Sequence, residues 1–117
     1  MKTTIGEIYF GYQALISIIN EPFQGEISYM LSKLLIQMEL KMKDIEDQKE
    51  IINKKYGIPE ENNMYRIPSE NAKAFSEEMQ IFMSTILEID YEKINVNCLS
   101  SVKLSILQMK MLMPFFI

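Results

Sequence analysis

An apolar repeat of seven residues, continued along about thirty residues, constrains this chain more than any other feature of its sequence. Leu31, Met38, Ile45 and Ile52 recur at that spacing, and the positions four residues after each are Leu35, Met42, Lys49 and Tyr56. This spacing places them on one side of a helix over about residues 26–56. Such a helix would be roughly 45 Å long at about 1.5 Å per residue, which exceeds the width of so small a domain.

The apolar stripe on this long helix narrows along its length, which makes its second half a candidate interface. Ile27 and Leu34 widen the stripe only in the first half. The second half keeps a thin line of side chains, which are Ile45, Lys49, Ile52 and Tyr56. We expect the far end to project, to bend or to pack on another chain. A homodimer through the long helix is the simplest form of such packing.

Capping signals predict the ends of the first two helices. Thr4 and Glu7 form a Thr-x-x-Glu capping box, in which the hydroxyl accepts a helical N–H and the carboxylate reaches back to the cap. An apolar helix follows and ends before Pro22, because the residue ahead of a proline avoids the helical region. Gly57 is placed to end the long helix as its C′ glycine.

Two further helices and two short strands complete the predicted elements. Ser69 is a good N-cap for the third helix, and the last helix is expected to begin at Ser100 or Ser101 and to stop at Pro114.

Residues 64–67 have strand propensity, and polar and apolar residues alternate within 88–94. We expect these two segments to form a two-stranded antiparallel ribbon that packs on the helices, because so small a sheet is not stable alone. The fold class is therefore α+β, mainly α, with four helices in a single domain over residues 1–117.

Composition excludes several classes of function. The 117 residues carry a formal net charge of -4, no histidine and one cysteine. No intramolecular disulfide can form, and a cytoplasmic setting fits best. The acidic balance argues against a nucleic-acid partner. No apolar run reaches the roughly 18 residues that a membrane span requires, so we expect no membrane association.

Acidic clusters are the strongest candidates for chemistry, and each has a simpler explanation. Asp44, Asp47 and Glu50 could share a helix face and hold a hard cation, but interleaved lysines make a solvated face the better interpretation. Residues 88, 90 and 92 share a strand face and could form a catalytic carboxylate pair. Charges on the exposed side of an edge strand explain them better.

Cys98 is the one candidate nucleophile, and the chain has no histidine to activate it. The four glycines are scattered and form no phosphate-binding loop. We therefore expect no catalytic residues, no metal ligands and no cofactor, and the chain is predicted not to be an enzyme.

The last helix ends in an unusually apolar stretch, "LQMKMLMPFFI". Methionine fills irregular cores and also lines adaptable binding surfaces. Met109, Met111, Met113 and Phe115 surround too much of the helix for one small neighbour to bury. We therefore interpret these four residues as a second candidate interface, beside the stripe on the long helix.

The order of these signals resembles a family of small uncharacterised proteins encoded by phages and prophages of Gram-positive bacteria. The stretches that carry the resemblance are "EISYMLSKLLIQMELKMKDIEDQKEIINKKYG" and "SENAKAFSEEMQIFMSTILEIDYEKI", which cover most of the chain. Its most specific parts are Lys55-Tyr56-Gly57, Glu70-Asn71 before Phe75, and the acidic alternation up to Ile94. These parts are structural, so the resemblance implies a phage origin and a host-cell cytoplasmic setting but no site residues.

Two functions follow as expectations. The first is a non-enzymatic phage accessory protein that binds a host or phage protein, for example as an anti-CRISPR-like inhibitor of a host defence system. An acidic face can occupy a basic channel that otherwise receives nucleic acid. The alternative is a virion-assembly or scaffolding component that self-associates.

Overall fold

The computed structural model describes residues 1–117 and has the predicted fold class, α+β and mainly α. The four helices are α1 Ile5–Ile16, α2 Gly25–Tyr56, α3 Ala72–Met83 and α4 Ile106–Leu112. The four strands are β1 Lys2–Thr4, β2 Ile58–Pro59, β3 Tyr65–Arg66 and β4 Ile86–Glu88. Single 3-10 turns lie at Glu61–Asn63, Ser69–Asn71, Val96–Leu99 and Met113–Phe115. The long helix is confirmed almost to the residue.

The capping box at the start of α1 is confirmed. The backbone N–H of Glu7 donates to the Thr4 hydroxyl at 3.0 Å, and the Thr4 N–H donates to the Glu7 carboxylate at 2.9 Å. The Thr3 hydroxyl donates to the same carboxylate at 3.2 Å. Three donors at the junction of β1 and α1 are satisfied in this way, so the capping box also fixes the strand that precedes the helix.

The far end of α2 packs on α3 of its own chain through one side of the helix. Tyr56 meets Phe75 of α3 edge to face, with 6.2 Å between ring centroids. Lys55 Nζ donates to the Glu78 carboxylate at 3.1 Å, and this hydrogen bond raises the pKa of Lys55. The Tyr56 hydroxyl makes the largest contribution to lowering the pKa of the Glu78 carboxyl, and Lys55 makes the next largest. The molecule extends 50 Å along its longest axis, the length that α2 requires.

The predicted ribbon between residues 64–67 and 88–94 is wrong. β1 pairs with β4 in antiparallel register, with Thr3 opposite Leu87, and β2 pairs with β3, with Ile58 opposite Arg66. The chain therefore has two small sheets, and neither joins the two predicted segments.

A tight local turn decides the β2–β3 pairing. Asn62 and Asn63 both have positive φ, 63° and 58°, a conformation that asparagine tolerates better than most residues. The reversal brings the Glu60 N–H within 2.8 Å of the Met64 carbonyl. The turn therefore pairs β3 with β2, its neighbour in the sequence, and not with a strand farther along the chain.

The second predicted strand ends early because its apolar residues turn into the core. β4 stops at Glu88, and β1 offers it only three residues to pair with. Beyond that point Ile89 and Tyr91 are buried, and the Tyr91 hydroxyl donates to the Phe115 carbonyl at 3.0 Å. Ile94 then forms an isolated parallel bridge with Phe116.

The last helix begins later than predicted. Ser105 caps α4 in a box with Gln108, whose side chain accepts the Ser105 N–H at 2.8 Å while its own N–H donates to the Ser105 hydroxyl at 3.0 Å. Ser100 and Ser101 lie in the turn after a 3-10 segment instead. A reciprocal box satisfies two donors, which a lone serine does not.

Gly57 ends α2, but it does so in an extended conformation and not in the left-handed one that a C′ glycine usually adopts. A Cβ at this position would lie 2.7 Å from the Asn53 carbonyl oxygen and 3.0 Å from the side chains of Tyr65 and Ile67. Glycine is therefore required at position 57 because neighbouring atoms leave no room for a side chain, and not because the backbone has a positive φ.

The core lies where α1, α2 and α4 meet, and Phe115 fills its centre. The largest fully buried side chains are Phe115, Ile8, Leu34, Met38, Leu99 and Leu112. A Cβ added at Gly11 would lie 2.5 Å from the Phe115 ring and 3.1 Å from the Met38 methyl. Gly11 therefore allows α1 to approach the ring closely.

Replacing Gly11 with alanine is expected to lower the free energy of unfolding by about 1–2 kcal/mol, because the overpacking cost exceeds the helix propensity that alanine gains. Denaturant unfolding measures the change. Gly25→Ala is the matched control, since no atom lies within 4 Å of a Cβ there. Equal or greater stability in both variants would contradict the close packing of α1 on Phe115.

Candidate interaction surfaces

A groove lies between α1 and α4. It encloses about 440 Å³. Its lining residues are Thr4, Gly6, Glu7, Phe10, Leu107, Lys110, Met111 and Pro114. The Glu7 carboxylate is already used in the capping box, so Lys110 is the charged lining group with no assigned hydrogen bond. A mostly apolar groove with a few polar groups at its edge suits an apolar side chain from a partner.

The apolar periodicity of α1 explains why Phe10 faces this groove. Ile8, Gly11 and Leu15 lie on the buried side of the helix, and Phe10 lies to one side of them, nearly half exposed. Its ring meets Tyr9 edge to face, with centroids 5.2 Å apart. Phe10 is held by this contact and remains available to a partner.

The first turn of α4 exposes two large apolar side chains next to the groove. Ile106 is 91% exposed and Leu107 is 59% exposed. The capping box between Ser105 and Gln108 fixes this turn, and Gln108 also donates to the Ser17 hydroxyl of the loop after α1 at 2.9 Å. The two side chains are therefore presented from an anchored turn and not from a free loop.

A second groove lies on the other side of α4. It encloses about 370 Å³, and all of its lining residues are apolar: Val96, Met109, Met113, Phe116 and Ile117. Two backbone hydrogen bonds join the segments that line this groove. The Val96 N–H donates to the Ile117 carbonyl at 2.7 Å, and the Ile117 N–H donates to the Ile94 carbonyl at 2.9 Å. α4 is thus flanked by apolar grooves on both sides.

The four residues of the methionine-rich interface predicted from the sequence lie in three different places in the structure. Met109 and Met113 come together in the second groove, and Met111 lines the first. Phe115 does not belong to either groove, because it is fully buried in the core. Three of the four residues therefore lie at surfaces that a partner can reach.

The stripe predicted on α2 lies mostly inside this fold. Ile45 and Ile52 are buried. Lys49 Nζ lies 3.7 Å from the centroid of the Tyr9 ring, a cation–π contact within the chain, and Tyr56 packs on α3. These residues join α2 to the helices of its own domain, so they present little surface to another molecule.

A second apolar stripe, which the sequence patterns above did not predict, lies on the opposite side of α2. Tyr29, Ile36, Leu40 and Ile51 are each more than half exposed. The seven-residue step from Tyr29 to Ile36 and the four-residue step on to Leu40 are visible in the sequence. The richer inward stripe obscured this signal, although both stripes occupy the same helix.

In the acidic cluster of α2, one carboxylate has partners within the chain and two are exposed. Glu50 accepts from the Tyr65 hydroxyl at 2.5 Å and pairs with Lys54 at 3.7 Å, whereas Asp44 and Asp47 are exposed. The Tyr65 bond to Glu50 raises the pKa of that phenol. No group of three or more histidine, cysteine or acidic side chains is arranged to hold a metal ion.

Residues 88, 90 and 92 line one surface concavity together with Met1. Glu88, Asp90 and Glu92 are all exposed, and the Asp90 N–H donates to the Gln37 side chain at 3.1 Å. Cys98 is half-buried, and burial raises the pKa of its thiol. A raised pKa leaves less of the nucleophilic thiolate at neutral pH.

Comparisons with known proteins identify no relatives of this chain: no family model, no curated protein and no solved structure matches it. None of its helices combines the length and apolar character needed to cross a bilayer.

Proposed function

We propose that this protein acts by binding another protein, without catalysis, as a phage accessory protein in the cytoplasm of an infected bacterial cell. The observation that carries the proposal is the exposed first turn of α4. Ile106 and Leu107 are held outwards beside the groove that α1 and α4 enclose. Exposed apolar side chains on an anchored turn are typical of contact residues.

The chemistry of this surface suggests what it binds. Phe10, Leu107 and Met111 provide an apolar lining, and Lys110 lies beside them. An amphipathic helix could place apolar side chains in the groove and an acidic side chain near Lys110. The net charge of -4 supports attraction to basic proteins through other faces of the molecule. Inhibition of a host defence protein, in the anti-CRISPR manner, is the specific function that we propose.

A component of virion assembly is the second candidate. Its support is the outer face of α2, where Tyr29, Ile36, Leu40 and Ile51 leave an apolar stripe uncovered. A scaffold must build open or large assemblies, so this candidate requires species larger than a dimer. Sedimentation velocity over a wide concentration range separates the two candidates, because the binding proposal needs no such species.

The double variant Ile106→Asp with Leu107→Asp is expected to weaken partner binding at least tenfold, because each side chain contributes about 1.5 kcal/mol or more if buried. A partner captured from host lysate is purified, and its affinity for wild type and variant is then measured by calorimetry.

Ile81→Asp is the matched control, because Ile81 is 73% exposed and lines neither groove. It should bind the partner as wild type does, and circular dichroism should show both variants folded. Equal affinity of the double variant and the wild type would remove α4 from the binding surface.

A further inference from the structure

The outer face of α2 carries an apolar stripe that nothing in this chain covers. At about 100° per residue, Tyr29, Ile36, Leu40 and Ile51 fall within an arc of about 60°. The buried residues of the same helix, Leu34 and Ile45 among them, lie on the opposite side. The core therefore packs against one face of α2 and leaves the other free along its whole length.

We propose that this outer face pairs with the same face of a second copy, antiparallel, with a two-fold axis at Leu40. In that arrangement the numbers of two facing residues, one from each copy, add up to 80. Leu40 meets Leu40 of the other copy at the axis, and Tyr29 lies level with Ile51. A two-fold pair of this kind closes on itself as a dimer.

The charges on the outer face select this register. Lys33 lies level with Asp47 of the other copy, and Glu26 lies level with Lys54. By symmetry each pair forms twice. All four side chains are exposed. Lys54 also pairs with Glu50 at 3.7 Å and Lys33 lies 5.7 Å from the Tyr29 ring centroid within the same helix, so the facing charges across the interface would share these exposed contacts. Opposite charges at facing helix positions determine the orientation and register of paired helices.

Other arrangements of the same two helices bring like charges together. A parallel pair places Lys33 against Lys33 and Asp47 against Asp47. An antiparallel pair shifted to set Ile36 against Leu40 places Lys33 against Lys43, and it also brings two glutamates, at positions 26 and 50, to the same level. Like charges at facing positions destabilise a pair of helices. The register centred on Leu40 avoids each of these repulsions.

The size of the face predicts a reversible dimer. From Glu26 to Lys54 the contact is about 42 Å long at 1.5 Å per residue and about 10 Å wide, so each copy buries roughly 400 Å². The total of about 800 Å² belongs with weak, transient interfaces. We expect a dissociation constant of micromolar order or weaker. The pairing does not depend on the proposed protein-binding function, because the grooves beside α4 take no part in it. It uses the α2 face that supports the assembly candidate, and a closed dimer would count against that candidate.

Disulfide cross-linking tests the orientation, in a Cys98→Ala background that leaves one thiol per chain. After mild oxidation, Leu40→Cys should form a linked dimer. Tyr29→Cys alone should not, because the two copies of residue 29 lie about 33 Å apart along the antiparallel pair. A mixture of Tyr29→Cys and Ile51→Cys proteins should form the linked heterodimer. Ile81→Cys on α3, equally exposed, reports random collision.

Each result decides the proposal. Linking of Leu40→Cys no faster than that of Ile81→Cys would overturn the dimer, and self-linking of Tyr29→Cys would overturn the antiparallel orientation. Charge reversal provides the second test, by sedimentation equilibrium. Lys33→Glu should raise the dissociation constant about 5- to 30-fold, and adding Asp47→Lys to it should restore the wild-type value. No rescue by the double reversal would overturn the register.

Discussion

Replacing Phe115 with alanine is expected to lower the free energy of unfolding by about 3–5 kcal/mol, the range for removing a fully buried aromatic ring. The Phe115 ring is completely buried, and a Cβ at Gly11 would lie only 2.5 Å from it. Urea unfolding followed by circular dichroism measures the loss.

Met113→Ala is the control, two residues away and 60% exposed. It should change the free energy of unfolding by no more than about 0.5 kcal/mol, as most exposed substitutions do. The comparison distinguishes a core residue from an interface residue. If Phe115→Ala folded as stably as wild type and lost only binding or association, the sequence-based assignment of Phe115 to an interface would be correct after all.

Alkaline pH is expected to weaken the fold through Tyr91. Burial, with a smaller contribution from Cys98, raises the pKa of this phenol to about 12 from an ordinary value of 10.0. The folded state therefore favours the neutral phenol, and the difference between its folded and unfolded pKa corresponds to at most about 2.7 kcal/mol of stabilisation. This stabilisation is fully present below pH 10 and is lost as the pH rises from 10 to 12.

Unfolding free energies at a series of pH values up to about 12 test this result. In Tyr91→Phe the fall attributed to the phenol should be absent, although the variant should be less stable at neutral pH because the Phe115 carbonyl loses its donor. Cys98 also has a raised pKa, so part of the alkaline loss should persist in that variant. Tyr29→Phe, at an exposed phenol, should keep the full pH dependence. An unchanged alkaline loss in Tyr91→Phe would assign the effect to another group.

Local signals made most of the helical structure predictable. The seven-residue repeat from Leu31 to Ile52 predicted α2, because burial of one helix face imposes that spacing over many turns. The capping box at Thr4 predicted the start of α1, since both of its hydrogen bonds lie within four residues. Neither inference required knowledge of where the rest of the chain lies.

Pairings between distant segments could not be read in the same way. β1 is only three residues long and meets β4 across most of the chain, so neither strand carries a signal for the other. The alternation at Ile89 and Tyr91 marks burial beside Phe115 and not a strand. The Asn62-Asn63 turn did carry a local signal for the β2–β3 hairpin, although propensity alone did not show which neighbour β3 would choose.

The candidate surfaces were predictable only in part for the same reason. Apolar excess predicted that α4 and α2 expose side chains, and Met109, Met111 and Met113 do line grooves. Which side of α2 faces outwards depends on α1 and α3, and composition does not contain that information. The inward stripe, being richer in large aliphatic residues, was mistaken for the free one.

The position of the Phe115 ring has a consequence for synthesis on the ribosome. The ring fills the space between α1 and its neighbours, yet α1 is translated first and Phe115 almost the whole chain later. Contacts of such high sequence separation form late in folding. During translation we therefore expect the space that the ring fills to stay empty until the α4 segment arrives, which would leave apolar side chains of α1 and α2 accessible to chaperones and proteases.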